Sequence, residues 1–305
     1  MRSPFRFAFV SAVVIALMVT TAVAVTMSLR SCDPIYPDDT SFGSSISTAG
    51  IRAEDSLAQV DAAFGRVPIV RAFDPGMPLA WDEPRNRILQ GRDIVTSFRP
   101  PPSEVLSGVH DDFFRRWFAE APTDVHVYWS YIHEPEPLIA EGAFTREEYF
   151  EAWSHLRELA DEACNHKMHP TLILTGFTAS NDERDYRRFD PGPEVVDVIA
   201  WDPYNGVYEP ERDYYESAES LLDPILDVMA ADGRRWGIAE VGSRVVPGDD
   251  GTGRAAWLAE IAQYAQTSDA LFVTYFQSTR GANWRLDDGP SRAIWSGVVE
   301  ESTSN

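Results

Sequence analysis

The sequence predicts one α/β domain, a (β/α)8 or TIM barrel, over residues 41–305. Eight short apolar runs of strand character alternate with segments of helical periodicity over about 260 residues, the pattern of such a barrel. An open doubly wound sheet is the alternative. The chain has neither a G-x-G-x-x-G turn after its first strand nor a Walker A sequence, which disfavours that alternative.

The predicted strands are rich in β-branched and aromatic residues. They are residues 41–47, 67–73, 93–98, 125–132, 170–177, 195–201, 235–241 and 270–276. Apolar residues at helical spacing follow at 54–64, 110–120, 144–164, 216–230, 253–266 and 290–301. Helices after the second and fifth strands are expected to be short or irregular.

Composition excludes several classes of partner. The chain carries a net charge of -22, which argues against nucleic acid and against docking on anionic lipid. Its two cysteines, Cys32 and Cys164, are too few for a disulfide framework. Because Cys164 falls inside a predicted helix, a buried free thiol is favoured, and a bond between Cys32 and Cys164 is the alternative that stays open. The sequence predicts no metal site, no cofactor and a monomer.

The N-terminus predicts export. Arg2 and Arg6 precede an uncharged apolar run at 7–29, which is typical of a secretory signal or a single membrane anchor. Ala22-Val23-Ala24 offers a cleavage site, so a cleaved signal over residues 1–31 is favoured over a membrane tether, and a lipoprotein signal is disfavoured. Residues 32–40 are polar and Pro-rich and are assigned to a linker. We therefore expect a protein that is secreted or displayed on the extracellular face of the cell envelope.

Functional side chains collect where predicted strands end, which is the face that carries the site in such barrels. The helix-to-strand junctions, in contrast, hold ordinary turn residues. The candidate site residues at the strand ends are Arg71, His133, Glu134, Trp201, Asp202, Tyr204, Glu240 and Trp284.

Glu134 ends the fourth strand and Glu240 ends the seventh. Glycoside hydrolysis needs two such carboxyl groups, one to donate a proton and one to attack or to activate water. Glu134 closes an apolar strand, so desolvation should raise its pKa and suit it to the acid role. Glu240 must stay ionised as a nucleophile, and Arg71 and Tyr204 are its candidate hydrogen-bond donors.

The remaining candidates would bind substrate. His133 could hydrogen-bond the acid or a sugar hydroxyl, and Asp202 shares the inward strand parity of Tyr204. Trp201 and Trp284 are expected to stack on sugar rings. Glu136 is expected to be a rim residue or a substrate contact.

A strand-four Glu134, a strand-seven Glu240 and Asp202-x-Tyr204 resemble the clan A retaining glycoside hydrolases. The pair His133-Glu134 is most similar to glycoside hydrolase family 26, whose members include β-mannanases. The resemblance implies that Glu134 is the acid/base, Glu240 the nucleophile and Tyr204 its hydrogen-bond partner. The chain departs from the mannanase pattern, which continues with Met-Asn, where this sequence has Pro135-Glu136.

These observations lead us to expect an exported retaining glycoside hydrolase that cleaves β-mannan or a related β-linked polysaccharide, endo-acting, by double displacement. The alternative is a non-catalytic glycan-binding protein or a protein of cell-envelope polysaccharide assembly on the same barrel. An open-sheet hydrolase is disfavoured because no G-x-S-x-G sequence is present.

Overall fold

A computed structural model describes residues 32–47, 50–181, 185–206 and 211–303. The predicted signal or anchor at 7–29 lies outside these residues. The chain from Cys32 to Asn305 forms one compact unit. Across the described ranges, no helix is both long and apolar enough to cross a membrane.

Eight parallel strands close into a barrel, which confirms the predicted fold class. Strands β6 and β8 pair directly, and β9 pairs back to β1, so the sheet has no free edge. A two-residue strand, β7, pairs with the last residues of β8. The strands are β1 Ser41–Ser45, β2 Ile69–Phe73, β3 Asp93–Phe98, β4 Val127–Tyr131, β5 Met168–Thr175, β6 Val198–Asp202, β7 Tyr204–Asn205, β8 Arg235–Ser243 and β9 Phe272–Tyr275.

All six predicted helices are present. They are α1 Ala53–Phe64, α4 Asp111–Ala119, α6 Arg146–Ala163, α8 Ala218–Asp232, α9 Thr252–Thr267 and α10 Gly289–Thr303. The short helices expected after the second and fifth strands are α2 Pro84–Ile88 and α7 Gly176–Ser180. Two further single turns, α3 Pro102–Leu106 and α5 Glu136–Ala140, were not predicted.

Strand alternation separates the apolar residues into two cores. Outward-facing residues pack under the helices, whereas a smaller cluster fills the barrel. That inner cluster consists of Ile69, Val95, Tyr128, Ile173, Val198, Ala200, Ala239, Leu271 and Phe272. At Gly43 on β1, the Cβ of any other residue would lie 1.9 Å from the Ile69 carbonyl oxygen. Position 43 must therefore be glycine for β1 and β2 to pack this closely.

Residues 32–40 form a strap across the end of the barrel where the strands begin. The Ile35 amide donates to the His166 carbonyl at 2.9 Å, and the Tyr36 ring stacks on His169 with centroids 4.9 Å apart. His169 in turn stacks on Tyr128 at 4.9 Å, inside the barrel. The predicted linker is therefore a packed part of the barrel unit.

A disulfide joins the strap to the barrel. Cys32 and Cys164 are bonded, with their Cα atoms 5.3 Å apart. The prediction of a free thiol at Cys164 was wrong because the residue caps α6 rather than lying within it. Its left-handed backbone, with φ of 48°, ends the helix at the strap.

Candidate active site

Glu134 lies on a strained turn after β4. Ile132 and Glu134 both have positive φ angles, of 50° and 49°, in the left-handed region that non-glycine residues rarely adopt. The Glu134 amide donates to the Ile173 carbonyl of β5 at 2.9 Å, and the Ile132 amide donates to the Phe98 carbonyl of β3 at 2.8 Å. Both neighbouring strands thus hold the turn that carries Glu134.

Glu136 holds the other side of this turn. Its side chain is only 3% exposed, so the expectation that it lies at the rim was wrong. Its Oε1 accepts hydrogen bonds from the Thr175 amide at 2.9 Å, the Thr175 hydroxyl at 3.1 Å and the Thr178 hydroxyl at 2.7 Å. Because these donors lie on β5 and α7, Glu136 fastens the first turn of α5 directly behind Glu134.

A β-bulge in β8 turns Glu240 toward the barrel axis. Ile238 pairs with Val273, but Val241 pairs with Tyr275, so β8 has one extra residue between the two pairs. Ala239 belongs to the inner cluster and Val241 to the outer one. The extra residue re-aims a side chain, as bulges beside functional sites commonly do.

Two described side chains donate hydrogen bonds to the Glu240 carboxylate. The Tyr204 hydroxyl donates to Oε2 at 2.5 Å, and Arg71 Nη2 donates to Oε1 at 3.4 Å. Arg71 is fully buried and also donates to the Ser97 hydroxyl at 2.9 Å. Burial raises the pKa of Glu240, while Arg71 and the Tyr204 hydroxyl oppose that rise and favour the ionised form.

Glu134 has the opposite electrostatic setting. Burial, followed by the negative charges of Glu240 and Glu136, raises its pKa to about 8. The carboxyl therefore keeps its proton at neutral pH. Glu134 is thus the carboxyl that keeps its proton, and Glu240 is the one whose hydrogen-bond donors favour the ionised form. Glycosyl transfer requires such a division between an acid and an anion.

Asp202 is a third carboxyl in this space. It is 3% exposed, and neither oxygen has a hydrogen-bond partner within the described ranges. Burial, then the charges of Glu240 and Glu134, raises the Asp202 pKa well above its usual range. A protonated Asp202 can donate a hydrogen bond to a ligand.

Aromatic rings form a wall around Glu240. Ring centroids are 6.4 Å apart for Phe73 and Phe276, 5.7 Å for Phe276 and Tyr204, and 5.1 Å for Tyr204 and Trp284. His133 extends this wall, with its ring 5.7 Å from Phe73. Burial and nearby arginines hold the His133 pKa well below its usual range, so the ring is neutral.

The prediction that Trp201 stacks on sugar was wrong. Its side chain is fully buried in the outer core, where its ring centroid lies 6.5 Å from that of Tyr186. Ala200 and Asp202 face inward, so the residue between them faces the helices.

Trp284 is also too buried to serve as a sugar platform, at 5% exposure. Its indole nitrogen donates to the Arg280 carbonyl at 3.0 Å, and its ring packs on Tyr204. It therefore supports the hydrogen-bond partner of Glu240 rather than presenting a face to a ligand.

The other candidate residues come together at one end of the barrel: Arg71, His133, Glu134, Asp202, Tyr204 and Glu240. The sequence did not single out Ser97, Phe73 or Phe276. Phe73 could have been found, since it follows Arg71 by two residues on one strand and shares its inward face. Within the described chain, no group of three or more His, Cys, Asp or Glu side chains could hold a metal ion.

Solved structures with this barrel include several glycoside hydrolases. The catalytic domain of a family 26 endo-β-1,4-mannanase from Bacillus sp. JAMB-750 matches with a TM-score of 0.58 and 16% identity, over 87% of this chain and 86% of that one. A family 26 β-mannanase from Bacteroides ovatus matches with a TM-score of 0.58 and 12% identity, over 87% and 89%. The fold is shared with these enzymes.

An exo-β-1,4-mannosidase from Opitutaceae bacterium strain TAV5 matches with a TM-score of 0.64 and 12% identity, over 90% of this chain and 62% of that one. The predicted resemblance to clan A enzymes, most like family 26, is thus confirmed at the level of the fold. No protein-family model and no curated protein matches the chain.

Proposed function

We propose that the protein is an exported glycoside hydrolase that cleaves β-linked glycans with retention of anomeric configuration. The observation that carries the proposal is that Glu134 and Glu240, on one face of the barrel, have opposite electrostatic settings. Glu134 holds its proton, with a pKa of about 8, while Tyr204 and Arg71 donate to Glu240. These settings match the acid and the nucleophile of double displacement.

In the first step, Glu240 attacks the anomeric carbon as Glu134 gives its proton to the glycosidic oxygen, and the leaving sugar departs. The glycosyl group is then an ester of Glu240. In the second step Glu134, now ionised, takes a proton from water, and the resulting nucleophile displaces Glu240 from the same carbon. Glu134 regains its proton for the next cycle.

β-1,4-Mannan is the first polymer to test because several solved structures of this fold are named as mannan-cleaving enzymes. We propose endo cleavage of β-mannan or a related polysaccharide. The disulfide between Cys32 and Cys164 supports export, since such bonds persist in oxidising compartments.

The test is release of reducing ends from mannan, xylan, mixed-linkage glucan and galactan, with the anomer of the first product read by proton NMR. We expect the first product to be the β-anomer. The Glu240→Gln variant should lose kcat by about 10³-fold or more. Glu134→Gln should spare substrates with activated aryl leaving groups, which need little acid assistance.

Glu158→Gln on the exposed face of α6 is the matched control and should keep full activity. An inverted first product would overturn retention. Glycan binding without any product would instead favour the non-catalytic glycan-binding alternative.

A further inference from the structure

Two arginines, Arg99 and Arg280, lie in loops that follow barrel strands at the end that carries the candidate site. We call this end the mouth of the site. Arg99 follows β3, where its amide donates to the Gly76 carbonyl at 2.8 Å, and its side chain is half-buried. Arg280 lies in the loop after β9, where its carbonyl accepts from the Trp284 indole at 3.0 Å, and its side chain is exposed. Trp284 packs on Tyr204, so this loop adjoins the partner of Glu240.

Neither guanidinium has a carboxylate partner within the described ranges. Other described arginines, such as Arg66 and Arg188, also lack one, but Arg99 and Arg280 lie where strands of the site end, in a chain whose acidic groups outnumber basic ones by 48 to 26. Arginines on other parts of the barrel, such as Arg85 and Arg157, form ion pairs at 2.7 Å. Within the described chain, no carboxylate therefore pairs with the positive charges of Arg99 and Arg280.

The positive charges of these arginines act on the same group of site residues. Arg71, Arg99 and Arg280 all act on His133, and Arg280 also acts on Glu134 and Glu240. Arg71 is already occupied by Glu240. Arg99 and Arg280 therefore supply the positive charge that is left for a ligand beside His133.

A small cavity adjoins the aromatic wall. The Arg244 guanidinium lies 5.8 Å from the Trp284 ring centroid, on the side of a cavity of about 100 Å³. Arg212, Asn205 and Ser243 also line this cavity. Arg212 pairs with Glu216 at 2.6 Å, and the inference about the ligand rests on Arg99 and Arg280 alone.

We propose that the glycan taken by this site is acidic, with a negatively charged group on a ring beside His133 that Arg99 and Arg280 bind. Guanidinium groups bind carboxylate or sulfate oxygens in paired, charge-assisted hydrogen bonds, which sugar hydroxyls do not match. Local positive charge also offsets the long-range repulsion that an acidic protein exerts on an anionic polymer. This inference rests on the proposed glycosidase function and narrows its substrate class.

The test compares three oligosaccharides with one backbone: β-1,4-mannan oligosaccharides, the same oligosaccharides oxidised to carboxylates at C6, and the same esterified with sulfate at C6. We expect the wild-type protein to prefer at least one acidic form over the neutral one in kcat/KM. Arg280→Gln and Arg99→Gln should each lower that preference ratio by about tenfold, the usual cost of one charge-assisted hydrogen bond. The carboxylate and sulfate arms show which acidic group is bound.

Arg115→Gln on the outer helix α4 removes the same charge far from the mouth and should leave the ratio unchanged. Equal cleavage of neutral and acidic forms, with a ratio unaffected by Arg280→Gln, would overturn the acidic substrate and leave the hydrolase function standing. Absence of cleavage, with binding of an acidic form that weakens in Arg280→Gln, would support the acidic ligand and count against hydrolysis. Absence of both would overturn both.

Discussion

At the scale of single residues, Glu134 and Glu240 are the same side chain in two different settings. Glu134 lies on a strained turn with Glu136 fastened behind it, and burial keeps its proton in place. Glu240 receives hydrogen bonds from Tyr204 and Arg71. Neighbouring groups, rather than the carboxyls themselves, divide the two roles.

These settings predict a bell-shaped pH profile of kcat/KM. Activity should rise with pH as Glu240 loses its proton and fall through about pH 8 as Glu134 loses its own. Tyr204→Phe removes a donor that opposes the rise in the Glu240 pKa, so the acidic limb should move to higher pH. The same variant should lower kcat by about 10- to 100-fold, through loss of a charge-assisted hydrogen bond.

Tyr264→Phe is the matched control, because Tyr264 also donates to a carboxylate, Asp223, but does so on the outer helix α9. Its profile should overlay that of the wild type. An unshifted acidic limb in Tyr204→Phe would show that Tyr204 does not set the ionisation of Glu240.

Much of the residue-level arrangement was predictable from strand ends and strand parity. Those two rules placed Glu134, Asp202, Tyr204 and Arg71 on one face. They could not give the bulge at Glu240, which exists only through the pairing of β8 with β9. Parity also argued against Trp201 as a sugar platform, because its neighbour Asp202 faces inward.

At the scale of elements, the strap and helix α6 are joined by the disulfide, which lies at the barrel end opposite the candidate site. The bond closes a loop across a sequence separation of 132 residues. Cross-links over such long loops restrict the unfolded chain strongly.

Cys32→Ser or Cys164→Ser should lower the free energy of unfolding by about 2–4 kcal/mol. Urea denaturation would measure the loss, and the reduced wild-type protein should show the same loss as either variant. We expect kcat/KM to stay at the wild-type value below the transition. A large drop in kcat/KM of the folded variant would show that the strap influences the site.

The elements that the sequence revealed are those with a clear period. The six long helices and the eight barrel strands show a clear hydrophobic period in the sequence. In contrast, α3, α5 and β7 are only two to five residues long, too short to show one. Such short pieces form through tertiary contacts, as in the hydrogen bonds that tie Glu136 of α5 to Thr175 of β5. A pattern of neighbouring residues in the sequence does not predict such tertiary contacts.

At the scale of the whole molecule, the buried carboxyls at the site reduce stability. In the unfolded chain Glu134 ionises near its ordinary pKa of 4.5, but in the fold it keeps its proton to about pH 8. Between these values the native state binds the additional proton, so stability falls as pH rises. Below the lower value both states are protonated and the penalty vanishes.

Glu134→Gln should therefore raise the free energy of unfolding above that of the wild type by a few kcal/mol near pH 8, at about 1.4 kcal/mol per pKa unit. The gain should disappear near pH 4. Denaturant titrations at both pH values would measure it, and Glu158→Gln should show no such difference. An equal gain at both pH values would indicate improved packing instead of a relieved charge.

The strap also belongs to the smallest fragment that keeps the barrel packed. Tyr36 covers the end of the barrel where the strands begin. Its ring packs on His169, which packs on Tyr128, which in turn packs on Phe272. A recombinant fragment cut at Ser41, where the first strand starts, would expose these rings to water. The smallest fragment worth expressing therefore starts at Cys32, nine residues earlier in the chain than the strand pattern alone suggests.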